Sequence, residues 1–294
     1  MGGITPLTSH IFPRFRRAGS TSPSSISSDE VLSGGRLRKE ESPLSQSWYR
    51  SKQRQISSNQ KRTLREYWAD FGIDLKYGKI IDVHSLFGSS SGRNAEEIRP
   101  LVMDIGFGMG ESLLHMAANN PQNDYIGVEI HRAGVAQCLG GLVSEGLCNV
   151  RLIRADATTL LENHLPAACL DEVHVYFPDP WPNEYRDSER RIIRPKMVQL
   201  MTRLLRPGGV LRVATDVADY ASHVEVVMKG FTAPGERYTW VQVDKETYAP
   251  LSKSRLRVRG LTKYEKRALD LKLTDTITEF LYRLESRKSE QQEV

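Results

Sequence analysis

From residue 101 to residue 215 the chain switches repeatedly between two patterns. Short apolar runs at 101–105 (LVMDI), 125–130 (YIGVEI), 150–154 (VRLIR), 172–177 (EVHVYF) and 210–215 (VLRVAT) are separated by helix-patterned stretches at 111–119, 132–145, 158–163 and 195–205. Runs that are mostly apolar, rather than apolar at every second residue, are the mark of strands buried on both faces. Strands joined by single helices cannot close as hairpins and must cross over to run parallel. The spacing therefore predicts an α/β architecture, a doubly wound, mostly parallel sheet with helices on both faces. In such sheets ligands bind beyond the carboxyl ends of the strands, where the strand order reverses. A further apolar run at 238–243 (YTWVQV) and a long final helix over 262–287 are expected to complete the domain. Ser58 is expected to cap a helix running through Leu64, Tyr67 and Trp68.

The organisation around this unit follows from composition. Residues 1–47 are rich in Ser, Pro, Gly and Arg with few aromatics, which predicts a disordered basic tail ahead of a single domain at 48–294. Arg and Ser without early acids resemble a transit peptide, but Pro6 and Pro13 would break the amphipathic helix that one needs. The expectation is a tail on a cytoplasmic protein. No run of about 18 apolar residues suits a membrane helix. Cys138, Cys148 and Cys169 show no CxxC spacing, which fits a reducing compartment, and each reads as a small buried hydrophobe. Residues 1–66 hold 12 Lys/Arg against 5 Asp/Glu, whereas residues 67–294 hold 29 against 31. A second basic stretch, KSRLRVRGLTKYEKR at 253–267, has seven basic residues and one acid. Two such stretches without an amphipathic membrane pattern favour a nucleic acid as partner.

The run MDIGFGMGES at 103–112 follows the first strand and opens a helix. Gly106, Gly108 and Gly110 let a ligand lie against the backbone. The spacing is GxGxG followed by Glu111, with Asp104 just before the loop. A dinucleotide places its pyrophosphate on the helix start, where these acids would repel it. The acids suit a ligand that is cationic there, and S-adenosylmethionine carries an ammonium and a sulfonium with no phosphate. Glu129, at the second strand end, is placed to accept from ribose hydroxyls, and Asp156, after the third, from an adenine amino group. Each acid alone reads equally as a helix cap. Three at successive strand ends beside a glycine loop read as a cofactor site.

Asp179, in YFPDPWP, is a lone carboxylate after the fourth strand, and turn-former, base and substrate handle are all open for it. In order, DIGFGMGESL, GVEIHRAGV, YFPDPWP, RRIIRP, VATDVADYA and LTKYEKR resemble the bacterial tRNA (guanine-N7)-methyltransferases over about residues 48–284. The resemblance implies a class I methyltransferase fold with a seven-stranded Rossmann-like sheet. It implies S-adenosylmethionine as cofactor and N7 of the variable-loop guanosine of tRNA, guanine-46, as target. It places the cofactor acids on Asp104, Glu129, Asp156 and Asp179, and substrate contacts on Asn183, Asp216, Thr262, Lys263, Tyr264 and Glu265. The chain departs from the family in WPNEYRDSERR, where Asn183 stands in place of an expected Lys and Arg190 and Arg191 close the tract.

Guanine N7 has a lone pair and no proton, so it attacks a methyl group without a general base. Catalysis then comes from alignment and from a carboxylate that accepts from N1–H and the exocyclic amine as the ring gains positive charge. Asp179 is the first candidate, with Asp216 and Glu265 beside it. The seven histidines show no metal-ligand spacing, so no metal is expected. His131 is expected to pack, and Trp181 either stacks on a base or wedges its loop against the core. A monomer or weak homodimer is expected. Two rival readings stand: a methyltransferase of this fold acting on another RNA or small molecule, and a tRNA-binding protein without turnover. A nicotinamide dehydrogenase is disfavoured by the absence of GxGxxG.

Overall fold

A computed structural model describes residues 55–83, 85–87, 99–182, 190–232, 238–243 and 277–286. In chain order the elements are α1 (Ser58–Phe71), β1 (Gly72–Ile73), a 3-10 turn (Ser85–Phe87), β2 (Leu101–Ile105), α2 (Glu111–Asn119), β3 (Asp124–Val128), α3 (Arg132–Glu145), β4 (Val150–Ile153), α4 (Ala157–Asn163), β5 (Leu170–Tyr176), α5 (Pro195–Leu204), β6 (Leu205–Thr215), α6 (Ala218–Lys229), β7 (Tyr238–Gln242) and β8 (Thr278–Ser286). They form one sheet in the order β1-β4-β3-β2-β5-β6-β8-β7. Strands β1 to β6 pair in parallel, and β8 alone runs against its neighbours β6 and β7. The chain winds outward from β2 to β3 and β4, then returns to the other side of β2 for β5 and β6. The reversal leaves a crevice between the carboxyl ends of β2 and β5.

Six of these strands fall on the expected apolar runs, β8 completes the seven that the resemblance implies, and the eighth is the two-residue β1 at the β4 edge. The final helix expected over 262–287 is corrected: residues 278–286 form β8. Phe280, Leu281, Tyr282 and Leu284 are all buried there. The strand pairs with β6 from Val210↔Arg283 to Thr215↔Thr278 and with β7 along its other edge. A helix would leave both partner edges unpaired, so tertiary pairing overrides the local preference of TEFLYRLES. Residues 262–276 lie outside the described residues, as does the 1–47 tail. Helix α6 was not anticipated, and the α1 cap is Ser57 rather than Ser58. Ser57 forms a capping box with Gln60, each side chain reaching the other's backbone N–H.

The sheet is covered on both faces. On one side α4, α5 and α6 bury Leu160, Met197, Met201, Tyr220 and Val224 against Met103, Val173, Val175 and Val213. On the other, α2 and α3 bury Leu113, Met116, Val135 and Leu139 against Val102, Tyr125, Val150 and Leu152, with Leu64 and Trp68 of α1 packed outside. Each fully buried large side chain contributes about 2–3 kcal/mol through removal from water. Cys138 and Cys169 are buried within these layers, but Cys148 is exposed, against expectation.

Charged groups near the start of β5 fasten the sheet. Asp171 accepts from Leu101 N at 2.7 Å and receives Arg206 Nη1 at 2.9 Å. Glu172 Oε2 accepts from Arg212 Nε and meets His174 Nε2, both at 2.9 Å. Burial pushes the Glu172 carboxyl up, but His174 and Arg212 outweigh it and hold the group down to about 2. No helix among the described residues is long and apolar enough to cross a membrane.

Candidate active site

β2 delivers the chain into the loop from Gly106 to Gly110, which turns into α2. Gly106, Gly108 and Gly110 all have left-handed φ (76°, 60° and 88°), so side chains would be strained there. Their surroundings differ. A Cβ on Gly110 would meet Cys138 Sγ at 2.5 Å, so this glycine serves the packing of α3 against the loop. Gly134 of α3 has the same task, since a Cβ there would lie 2.1 Å from Gly108 O. Above Gly106 and Gly108 an added Cβ would meet no atom within 4 Å. This open backbone shelf lies at the crevice.

The predicted acids stand at or after the carboxyl ends of the neighbouring strands. Asp104, next to last in β2, is only 2% exposed and sits in register with Gly127 of β3 and His174 of β5. Burial, aided by the negative charge of Asp104, pushes the Cys138 thiol far up, so that sulfur is a packing group and not a nucleophile. Glu129, immediately after β3 and 8% exposed, is aimed by three amides. Its Oε2 accepts from Gly108 N at 3.0 Å, and its Oε1 accepts from Ile130 N and His131 N at 2.8 Å each. Glu129 thus also fixes the glycine loop. Asp156 caps α4: its Oδ1 takes Thr159 N at 2.9 Å and Thr159 Oγ1 at 3.0 Å. The cap uses one carboxylate oxygen. His131, expected to pack, instead occupies the α3 cap position with a side chain 56% exposed.

The far side of the crevice is built from the turns after β5 and β6. Phe177 leaves β5 with φ 50°, a left-handed conformation in a bulky residue. Its N–H donates to Ala214 O of β6 at 2.8 Å, and its ring is buried. Pro178 and Pro180 flank Asp179, and Trp181 N donates to Asp179 O at 3.0 Å, closing a tight turn around Pro180. Trp181 is covered by the Arg190 guanidinium, 3.3 Å from the ring centroid. That contact occupies one face of the half-buried ring. Arg191, fully buried, donates from Nε to Trp181 O at 2.7 Å and from Nη2 to Asp219 Oδ2. Asp179 and Asp216 are both exposed.

Because β2 to β6 are parallel, Asp104, Glu129, Asp156, Asp179 and Asp216 all reach one edge of the sheet. Asn183, Thr262, Lys263, Tyr264 and Glu265 lie outside the described residues. Sequence reasoning missed Asp219, Tyr220 and the burial of Arg191; the doublet Arg190–Arg191 gives no sign of which arginine turns inward. Among the described residues no cluster of three or more His, Cys, Asp or Glu could hold a metal ion.

The donor set fits S-adenosylmethionine. The space over Gly106 and Gly108 is clear, Glu129 holds the Gly108 amide, and Glu111 at the helix start disfavours a pyrophosphate.

Comparison with known proteins agrees. A family described as putative methyltransferase matches residues 98–277. A tRNA (guanine-N(7)-)-methyltransferase of Halorhodospira halophila is 45% identical over 166 residues, covering 56% of this chain and 68% of that protein. Those of Shewanella amazonensis and Yersinia pseudotuberculosis are 40% and 37% identical, covering 72% and 74% of this chain and 81% and 82% of theirs. With the glycine shelf and strand-end acids in place across that shared region, this chain belongs to the tRNA (guanine-N(7)-)-methyltransferase family.

Proposed function

We propose that this chain transfers the methyl group of S-adenosylmethionine to N7 of a guanosine in tRNA, and that its target is the variable-loop guanosine, guanine-46. The observation that carries the reading is the row of five carboxylates on one sheet edge around an open glycine shelf. When bound, the cofactor supplies an electrophilic methyl group on a sulfonium. Asp104 with the backbone at Gly106 and Gly108 would hold its cationic amino-acid end, Glu129 its ribose hydroxyls and Asp156 its adenine amino group.

On the acceptor side, Asp179 binds the guanine rather than removing a proton. Its exposed carboxylate, on a turn fixed by two prolines and the Trp181–Asp179 bond, accepts from N1–H and the exocyclic amine. These donors become more acidic as N7 is alkylated, so the contact strengthens in the transition state. Asp216, on the neighbouring turn, is the second acceptor-side acid, and Asn183, Thr262, Lys263, Tyr264 and Glu265 complete the substrate contacts. Residues 48–294 form the methyltransferase domain. Residues 1–47, with most of the positive excess, form a basic arm for the tRNA, and the protein works in the cytoplasm as a monomer or weak homodimer.

Labelled S-adenosylmethionine and unmodified tRNA test this reading, with borohydride and aniline mapping the modified base. Cleavage at guanine-46 is expected. Label at another atom or another RNA would sink the assignment, and cofactor binding without transfer would favour a tRNA-binding protein without turnover. For Asp179→Ala, turnover should fall about 100-fold with tRNA binding reduced and the melting temperature little changed. Deleting residues 1–47 should reduce the salt dependence of tRNA binding; an unchanged slope would remove the arm from the proposal.

A further inference from the structure

We infer that Arg191 is a positioning residue, a buried strut that ties the turn carrying Asp179 to the helix start following Asp216 and so sets the spacing of these two carboxylates. The inference rests on the acceptor-side roles proposed above. One guanidinium reaches both turns: Nε donates to Trp181 O at 2.7 Å and Nη2 to Asp219 Oδ2, while the group lies 5.4 Å from the Tyr220 ring centroid. Trp181 stands two residues after Asp179 and is bonded to it through the backbone. Asp219 stands three residues after Asp216, in the first turn of α6.

The strut is not what holds this segment to α6. Ile193 N already donates to Tyr220 Oη at 3.2 Å, and His223 Nε2 donates to Ile193 O at 2.7 Å. Burial keeps the His223 imidazole below its ordinary range, so it is neutral at pH 7, with its proton on Nε2. With the segment fixed by these bonds, the fork of Arg191 serves to span the gap to Trp181. The Asp219 side chain is 62% exposed but Arg191 is fully buried, so the pair offsets a buried charge as well as fixing the direction of the guanidinium. A lysine could make one of these contacts but not both, because its ammonium lacks the planar fork.

The experiment is a double-mutant cycle on the full chain with Arg191→Lys and Asp219→Ala, read by tRNA methylation, S-adenosylhomocysteine affinity and thermal unfolding. Asp219→Ala should lower kcat about tenfold and Arg191→Lys about 30-fold, with cofactor affinity unchanged. Asp219→Ala should also lower the melting temperature, because the buried Arg191 charge loses its ion partner, so rates are compared well below the transition. The double variant should be no slower than Arg191→Lys, since both substitutions break one device. An Asp219→Ala rate within twofold of the parent, additive losses, or cofactor affinity falling in step would overturn the inference. If Arg191→Lys fails to fold, the Asp219→Ala rate decides alone. A parent inactive on tRNA overturns the proposed function and the premise of the strut; an active parent with an unaffected Asp219→Ala overturns the strut only.

Discussion

Asp171 and Glu172, near the start of β5, meet arginine side chains, whereas Glu129 and Asp156, at the carboxyl ends of β3 and β4, meet backbone amides and a threonine hydroxyl. Both arrangements orient a carboxylate, but they leave it with different capacities. An arginine fork cancels the charge it binds, so Asp171 and Glu172 are spent on joining strands. Amides and hydroxyls direct the oxygens without adding a full positive charge, so Glu129 and Asp156 keep more of their negative field, as the proposed cofactor contacts require. The same residue types thus act as fasteners at one end of the sheet and as a receptor at the other.

Four measurements test this division, beginning with the largest effect. Glu129→Ala should weaken S-adenosylhomocysteine binding about 100-fold, close to 3 kcal/mol by calorimetry, because it removes a ligand contact and releases the Gly108 amide. Wild-type affinity in that variant would break the comparison. Glu172→Gln should do the reverse and cost about 2 kcal/mol in urea unfolding with cofactor affinity intact.

The third measurement is pH. Glu172 titrates near 2 in the folded protein against an ordinary 4.5, so it binds protons less readily when folded. Its stabilisation is fully present above about pH 4.5 and is lost as pH falls through about 2. The urea midpoints of wild type and Glu172→Gln should therefore differ at pH 7 and converge toward pH 2; a constant gap would show that the His174 and Arg212 contacts are not electrostatic. The smallest effect belongs to Asp156. Asp156→Asn keeps a capping oxygen and should leave stability within about 0.5 kcal/mol while weakening cofactor binding about fivefold, whereas Asp156→Ala should lose about 1 kcal/mol more through the cap.

The strand ends that carry the candidate cofactor acids were legible because their signals are local. MDIGFGMGES, Glu129 and Asp156 are each fixed by the strand end they follow, and the strand ends follow from the alternation. What the sequence left unreadable depends on distant partners. TEFLYRLES suits either a helix or a strand by pattern, and only the open edges of β6 and β7 make it β8. Arg190 and Arg191 are chemically identical neighbours, yet one covers the face of Trp181 and the other is buried against its carbonyl and Asp219. At Asp156 the cap reading of a strand-end acid holds, with one oxygen taking both the amide and the hydroxyl of Thr159. Cys148 is exposed although its composition class suggested a core position.

Phe177 bears on the order in which the site comes into being. A bulky residue in left-handed φ costs about 1–2 kcal/mol, and here its amide bond to Ala214 of β6 helps offset that cost. Ala214 emerges from the ribosome after Asp179 does. Until β6 pairs with β5 the Phe177 amide lacks this acceptor, so the turn that carries Asp179 takes its form only once the chain through Ala214 has joined the sheet.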